Sequence, residues 1–221
     1  MAIRTHYILV LLLIWILTTA GAYYIGTLNP DPQLVKNIKD QTELKIQKDY
    51  SQHKLFEPEF AYNDNESFML AVNKCIDFVN LTTPPAKRIH RDIIVAMAVI
   101  ESAYGTSRFA MKGNNLFGIR TWDKSVAQMK PRENPNAIWG VKTYITKCQS
   151  VKDMVSIINR LPVYEDFRTV RDYQLQSGDH DVFALVPLLS EWSTNPNYTK
   201  LIISKIKKIR KILANEVAKK S

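Results

Sequence analysis

One acidic residue stands where a charge is costly. Glu101 follows the run Ile93-Ile94-Val95-Ala96-Met97-Ala98-Val99-Ile100, at the end of a segment that is apolar on nearly every side. A carboxylate withdrawn from water is penalised in its charged form, so its pKa rises. A carboxyl that holds its proton towards neutral pH can hand it to a leaving oxygen, which is general acid chemistry. The same placement also suits a structural glutamate, capping the helix or paired with Arg108 or Arg120. The segment alone leaves both readings open. Other chemistries lack material. His6, His53, His90 and His180 are scattered and no paired Cys/His spacing occurs, so no metal site is expected. There is no phosphate-cradling glycine loop and no Gly-x-Ser-x-Gly turn, so no cofactor is expected and a nucleophilic triad has no local support.

The elements that must position Glu101 read mainly as helices. Apolar residues at helical spacing predict a helix over Glu66–Asn80, and Thr82-Thr83-Pro84-Pro85 breaks it. A second helix is predicted from Ala86 to Tyr104, nearly apolar all round and therefore central and buried, with Gly105 placed to stop it. Four of the seven glycines fall between Gly105 and Tyr144, which reads as loop with a small sheet whose best strand is Ile138–Ile145. Ser150-Val151-Lys152-Asp153 reads as a capping signal. Helices are then expected near Val151–Leu161, Glu165–Leu175, Val182–Leu189 and Asn197–Ala214. In the last, an apolar stripe through Leu201, Ile202, Ile206, Ile209, Ile212 and Leu213 opposes the lysines.

The 221 residues are 46% hydrophobic and 23% charged, which excludes a disordered chain and a multi-span membrane protein and allows one soluble domain plus an anchor or arm. No charged residue lies between His6 and Asp31, and Tyr7–Leu17 is continuously apolar. Residues 7–26 are long enough for a membrane anchor, with Arg4 favouring a cytoplasmic start. Ala20-Gly21-Ala22 offers the alternative of a cleaved signal peptide. Either reading exports the rest of the chain, and a buried core helix is the third. Cys75 and Cys148 would then sit where disulfides form, though two small buried residues fit as well. Gln33–Leu55, highly charged, reads as a helical stalk or mobile linker. From Lys200 to Ser221 eight Lys and Arg residues face only Glu216, so +7 of the net +9 lies there. The high charge is a tail property: a solvated face, or an attraction to an anionic polymer or lipid surface. A basic groove suited to nucleic acid is lacking. The expected organisation is an anchor or signal at 1–26, a stalk at 27–63, a domain at 64–214 and a basic tail at 215–221.

The run Ile94–Arg120 (IVAMAVIESAYGTSRFAMKGNNLFGIR) strongly resembles the signature of the family-73 glycoside hydrolases, the peptidoglycan N-acetylglucosaminidases, and is most similar to their Bax-like branch. Glu101-Ser102-Ala103-Tyr104-Gly105-Thr106-Ser107 resembles the family's catalytic segment, and Asn114-Asn115-Leu116-Phe117-Gly118 the segment after it. Ser150–Arg171 and Leu188–Ile202 are similar to later parts. The resemblance spans about Glu66 to Leu213. It implies a lysozyme-like α+β fold, mostly α, whose helical body holds the acid and whose small β lobe walls a polymer groove. Glu101 would be the general acid on a GlcNAc β-1,4 bond of peptidoglycan. Asn115, Phe117 and Gly118 would shape the lobe or meet substrate. Tyr104, Trp122, Tyr164 and Tyr198 are candidates to present rings or hydroxyls to sugars, although each singly also suits the core. The implied site is an inner-membrane protein with its domain in the periplasm, or a periplasmic or secreted one after signal cleavage.

The resemblance fails at the second carboxylate that a standard glycosidase uses. The branch usually carries a glutamate near the β strand, where this chain has Gly140. Glu133 and Asp123 lie in the same lobe and could substitute. Otherwise the substrate's own 2-acetamido group would assist. A lytic transglycosylase using the same acid, and an inactive glycan-binding or scaffold relative, are the alternatives to hydrolysis.

Overall fold

The computed structural model describes residues 2–28, 31–52 and 56–220. It divides into two units, Met1–Phe56 and Glu57–Ser221. The first unit consists of α1 (Ala2–Leu28) and α2 (Pro32–Gln52). His6–Tyr24 is a 19-residue stretch of mean hydropathy 1.9, unburied in its own unit, and is long and apolar enough to cross a membrane. Its two threonines turn inward: Thr18 Oγ1 donates to the Ile14 carbonyl and Thr19 Oγ1 to that of Trp15. Such back-bonding leaves neither threonine hydroxyl unsatisfied in an apolar medium. Asp31 opens α2 by accepting from the Gln33 amide at 2.8 Å, and the charged stretch is thus helical. The Asn29-Pro30 break and the His53–Leu55 end of the expected stalk lie outside the described residues, as do the side chains of 215–221.

The second unit runs α3 (Asn65–Thr82), α4 (Arg91–Ser102), α5 (Arg108–Gly113), β1 (Arg120–Thr121), β2 (Gln128–Met129), β3 (Gly140–Lys142), α6 (Lys147–Arg160), α7 (Glu165–Ser177), α8 (Val182–Leu185) and α9 (Tyr198–Lys220). Short 3-10 turns occupy Pro85–Lys87, Pro162–Tyr164 and Val186–Trp192. It is mostly helical, with one small antiparallel sheet in the order β1-β3-β2. Arg120 pairs with Val141, and Gln128 with Lys142. The strands are shorter than Ile138–Ile145 suggests. Ile138 and Ile145 are exposed, so the alternation reaches the ladder only over Gly140–Lys142.

α4 is the centre of the core, with every residue from Ile93 to Val99 buried. It packs against α3 and α9. α9 supplies Ile202, Ile206 and Ile209, each worth about 1.5–3 kcal/mol of burial. Arg210 Nε meets Asp92 Oδ2 at 2.6 Å at the rim of this contact. α3 begins in a capping box, where Asp64 accepts from the Ser67 amide and the Ser67 hydroxyl from that of Asp64.

Several boundaries differ from the sequence pattern, and α4 ends at Ser102, short of Tyr104. α4 starts at Arg91, not Ala86, because the prolines hold a 3-10 turn there and Arg88 donates to the Asn80 and Thr83 carbonyls. α6 starts at Lys147 with Thr146 as its cap, so Ser150 does not open the helix. Its hydroxyl donates instead to the Lys147 carbonyl and accepts from the Leu116 amide, tying α6 to the β lobe. The expected helix Val182–Leu189 becomes α8 and a 3-10 turn, since Pro187 supplies no amide for the helical ladder. α9 continues to Lys220. Cys75 of α3 and Cys148 of α6 form a disulfide, Cα to Cα 4.9 Å, which decides between the two readings of the cysteines.

Candidate active site

Glu101 is the penultimate residue of α4, half-buried where the helix leaves the core. Three consecutive residues with positive φ follow Ser102: Ala103 at 50°, Tyr104 at 57° and Gly105 at 77°. That conformation costs a non-glycine residue about 1–3 kcal/mol. The surroundings enforce it. Ser102, fully buried, donates to the Ala98 carbonyl and accepts from the Gly105 amide at 2.8 Å. Tyr62 Oη donates to the Gly105 carbonyl at 2.8 Å. A β-carbon on Gly105 would stand 2.6 Å from Tyr62 Oη and 2.7 Å from Phe68 Cε2, so only glycine fits. The turn ends α4 at Ser102, one residue after Glu101, and leads the chain into α5, capped by Ser107.

The segment Asn114–Gly118 builds the lobe beside it. Asn114 donates from its amide to the Tyr144 and Ile145 carbonyls. Asn115 is buried and spends its whole side chain on backbone: Nδ2 donates to the Ile119 and Lys142 carbonyls, and Oδ1 accepts from the Phe117 and Ile119 amides. Gly118 has φ +65°, and a β-carbon built on it would lie 3.9 Å from Glu101 Oε2. The lobe's turn thus passes against the carboxyl.

Glu101 opens on a cavity of about 500 Å³. β-lobe residues Gly118, Arg120, Trp122, Trp139 and Val141 line one part of it, and Ile157, Tyr164 and Glu191–Thr194 of the helical body another. Burial pushes the Glu101 carboxyl above its ordinary range, while Tyr198 and the Arg120 charge pull it down less strongly. Among the described residues neither arginine forms an ion pair with Glu101. Arg108 donates to the Lys130 carbonyl, and the Arg120 guanidinium stacks 4.2 Å above the Trp139 ring. Tyr198, 2% exposed, keeps its hydroxyl buried, without a partner at ordinary hydrogen-bond geometry among the described residues. The hydroxyl interacts with Glu101, and burial with that charge raises its own pKa far above normal.

The structure brings together Glu101, Phe117, Gly118, Trp122 and Tyr164 as cavity residues, with Tyr198 behind Glu101. Trp122 is 62% exposed at the rim. Asn115 is turned into the lobe. Tyr104 stands apart, edge-on to Phe68 with Lys205 Nζ 5.3 Å from its ring centre. Neither expected second carboxylate lines the cavity. Asp123 is exposed and accepts from the Ser125 amide and hydroxyl, which holds its pKa low. Glu133 is exposed on the loop between β2 and β3. Gly140 is buried, and Gln128 Oε1 covers it closely enough to collide with a β-carbon. Sequence reasoning missed Arg120, Trp139, Glu191 and Trp192 as cavity residues. Only Glu191-Trp192, an acid beside an aromatic ahead of Ser193-Thr194-Asn195-Pro196, offered a local signal.

Residues 85–211, more than half of the chain, match the glucosaminidase family, described as mannosyl-glycoprotein endo-beta-N-acetylglucosaminidase. The chain belongs to this family of glycoside hydrolases. It is 33% identical over 110 residues to the protein Bax of Escherichia coli (strain K12), an alignment covering 48% of this chain and 37% of that protein. The crystal structure of the catalytic domain of the autolysin Auto from Listeria monocytogenes is similar at 12% identity and a TM-score of 0.49, covering 76% of this chain and 94% of that domain. The glucosaminidase match contains Glu101, the whole β lobe and the Tyr164 and Glu191 walls of the cavity.

Proposed function

We propose that the protein is a membrane-tethered endo-β-N-acetylglucosaminidase that cleaves GlcNAc β-1,4 bonds of peptidoglycan in the periplasm, with Glu101 as the general acid. The observation that carries the reading is the Glu101 carboxyl itself, raised by burial and opening on a cavity walled by tryptophans and an arginine. Burial favours the neutral acid, and the neutral acid can protonate the oxygen leaving the anomeric carbon. Trp122, Trp139 and Trp192 offer apolar faces to sugar rings, and Arg120 offers donors to their hydroxyls and amides. Membership of the glucosaminidase family supports the bond type.

Two features support export and tethering. The disulfide joins Cys75 and Cys148, and such bonds persist in oxidising compartments. His6–Tyr24 meets the length and composition of a membrane span. The test is to incubate the full chain in detergent micelles with purified peptidoglycan, beside Glu101→Gln, and to identify the products by mass spectrometry. Hydrated products with reducing GlcNAc ends, lost in the variant, are expected. Anhydro ends, or cleavage that survives Glu101→Gln, would overturn the reading.

A further inference from the structure

Hydrolysis with Glu101 as acid leaves one role unfilled, and any candidate for that role rests on the glucosaminidase reading. In the two-carboxylate scheme a base takes the proton from the attacking water. Asp123 is spent on its own turn, Glu133 is away from the cavity, and Gly140 is covered by Gln128. We propose that Glu191 is the second catalytic carboxylate, the base that activates the water.

Glu191 lines the same cavity as Glu101, on the 3-10 turn Val186–Trp192. That turn is fastened to the segment bordering the acid. Trp192 Nε1 donates to the Phe117 carbonyl at 3.3 Å, and the next residue, Gly118, is the one against Glu101 Oε2. The base is therefore held by the residue beside it to the same stretch of chain that abuts the acid. The two carboxyls differ in solvation: Glu101 is half-buried and Glu191 exposed. Burial favours the neutral, proton-giving form of the Glu101 carboxyl, which gives it the acid role and leaves the base role to the other cavity carboxylate. Two buried phenols link the two sites: Tyr198 interacts with Glu101 and Tyr164, and Tyr164, pushed up to about 12 mainly by burial, also feels the Glu191 charge. The proposal takes the inverting form, in which a water sits between acid and base and the two carboxyls stand roughly 6.5–9.5 Å apart.

Glu101 gives its proton to the glycosidic oxygen, and the bond from that oxygen to C1 breaks with its electron pair going to the oxygen. Water bonds to C1 on the opposite face and loses a proton to Glu191. The new reducing end is released as the α-anomer, and the two carboxyls exchange protons with solvent before the next cycle.

The test uses the full chain in detergent micelles with solubilised glycan strands, and compares wild type, Glu101→Gln, Glu191→Gln and Glu191→Ala. Glu191→Gln is expected to lower kcat by about 10²–10⁴-fold with little change in KM, and to remove the acid limb of the pH profile. Azide added to Glu191→Ala is expected to restore turnover as a glycosyl azide, and wild type to release the α-anomer first. Glu191 is exposed, so unchanged thermal melting will show that both variants fold. A Glu191→Gln rate within about threefold of wild type, with Glu101→Gln inactive, would overturn the role of Glu191 and leave the glucosaminidase reading standing. First release of the β-anomer would do the same. A wild type that cuts no GlcNAc bond overturns both.

Discussion

The Tyr198 hydroxyl is buried next to the Glu101 carboxyl and, among the described residues, has no partner at ordinary hydrogen-bond geometry. It stands at the first residue of α9, the helix that packs along α4, so helix packing itself sets the distance between phenol and acid. The hydroxyl lowers the Glu101 pKa against the larger effect of burial. Tyr198→Phe removes that influence and keeps the ring. The Glu101 carboxyl should then hold its proton to higher pH, and the alkaline limb of peptidoglycan cleavage should move up. The phenylalanine variant should melt no more than a few degrees from wild type, because a buried hydroxyl without a good partner contributes little. A limb that stays in place or moves down would separate Tyr198 from Glu101.

Glu101 itself should be a stability cost at neutral pH. Its pKa is raised in the folded chain, so between the unfolded and folded values the native state binds more protons. Stability therefore falls as pH rises through that window, and the loss is complete above the folded pKa. Glu101→Gln keeps the shape and removes the charge. The variant should melt higher than wild type at neutral pH, and the gap should close below the ordinary glutamate range. For a chain of this size each 1 kcal/mol corresponds to about 2–4 °C. Equal melting temperatures across the range would show that the carboxyl is not held against its charge.

How far this site could be read from sequence depended on the range of the interactions. The position of Glu101 was legible because eight apolar residues precede it in one helix, and that is a local pattern. Gly105 was legible as the end of the same segment, although the helix stops three residues earlier, where Ser102 bonds back to Ala98. The Ser150 hydroxyl had the spacing of a cap, but Thr146 lay four residues ahead and took that position. Glu191 was not legible as a cavity residue. It lines the cavity of Glu101 through a long-range arrangement, with the Trp192–Phe117 hydrogen bond beside it spanning 75 residues. The pairing of Cys75 with Cys148, 73 residues apart, likewise needed α3 and α6 to be packed first.

That disulfide should matter thermally. It closes a long loop between two helices of the core, and removing a native bridge costs about 2–5 kcal/mol. Reduction, or Cys75→Ser with Cys148→Ser, should therefore lower the melting temperature by roughly 4–20 °C at this size. Calorimetry with and without reductant checks it. Because both sulfurs lie in the core away from the cavity, cleavage by the surviving folded fraction should be unchanged.

Gly105 and Gly118 both have positive φ and both flank the acid, yet alanine should act differently at each. At Gly105 a methyl group collides with the Tyr62 hydroxyl and the Phe68 ring, and strain adds to the collision. Gly105→Ala should cost about 3 kcal/mol or more and lower activity only by lowering the folded fraction. At Gly118 the nearest atom to a new methyl group is Glu101 Oε2, at 3.9 Å, so there is room. Gly118→Ala should cost only the strain of its backbone, about 1–2 kcal/mol, and should instead lower kcat by setting a methyl group in contact with the carboxyl where substrate approaches it. Denaturant unfolding beside peptidoglycan turnover separates the two effects. A Gly118→Ala enzyme with full kcat would mean that the turn borders the acid without restricting what approaches it.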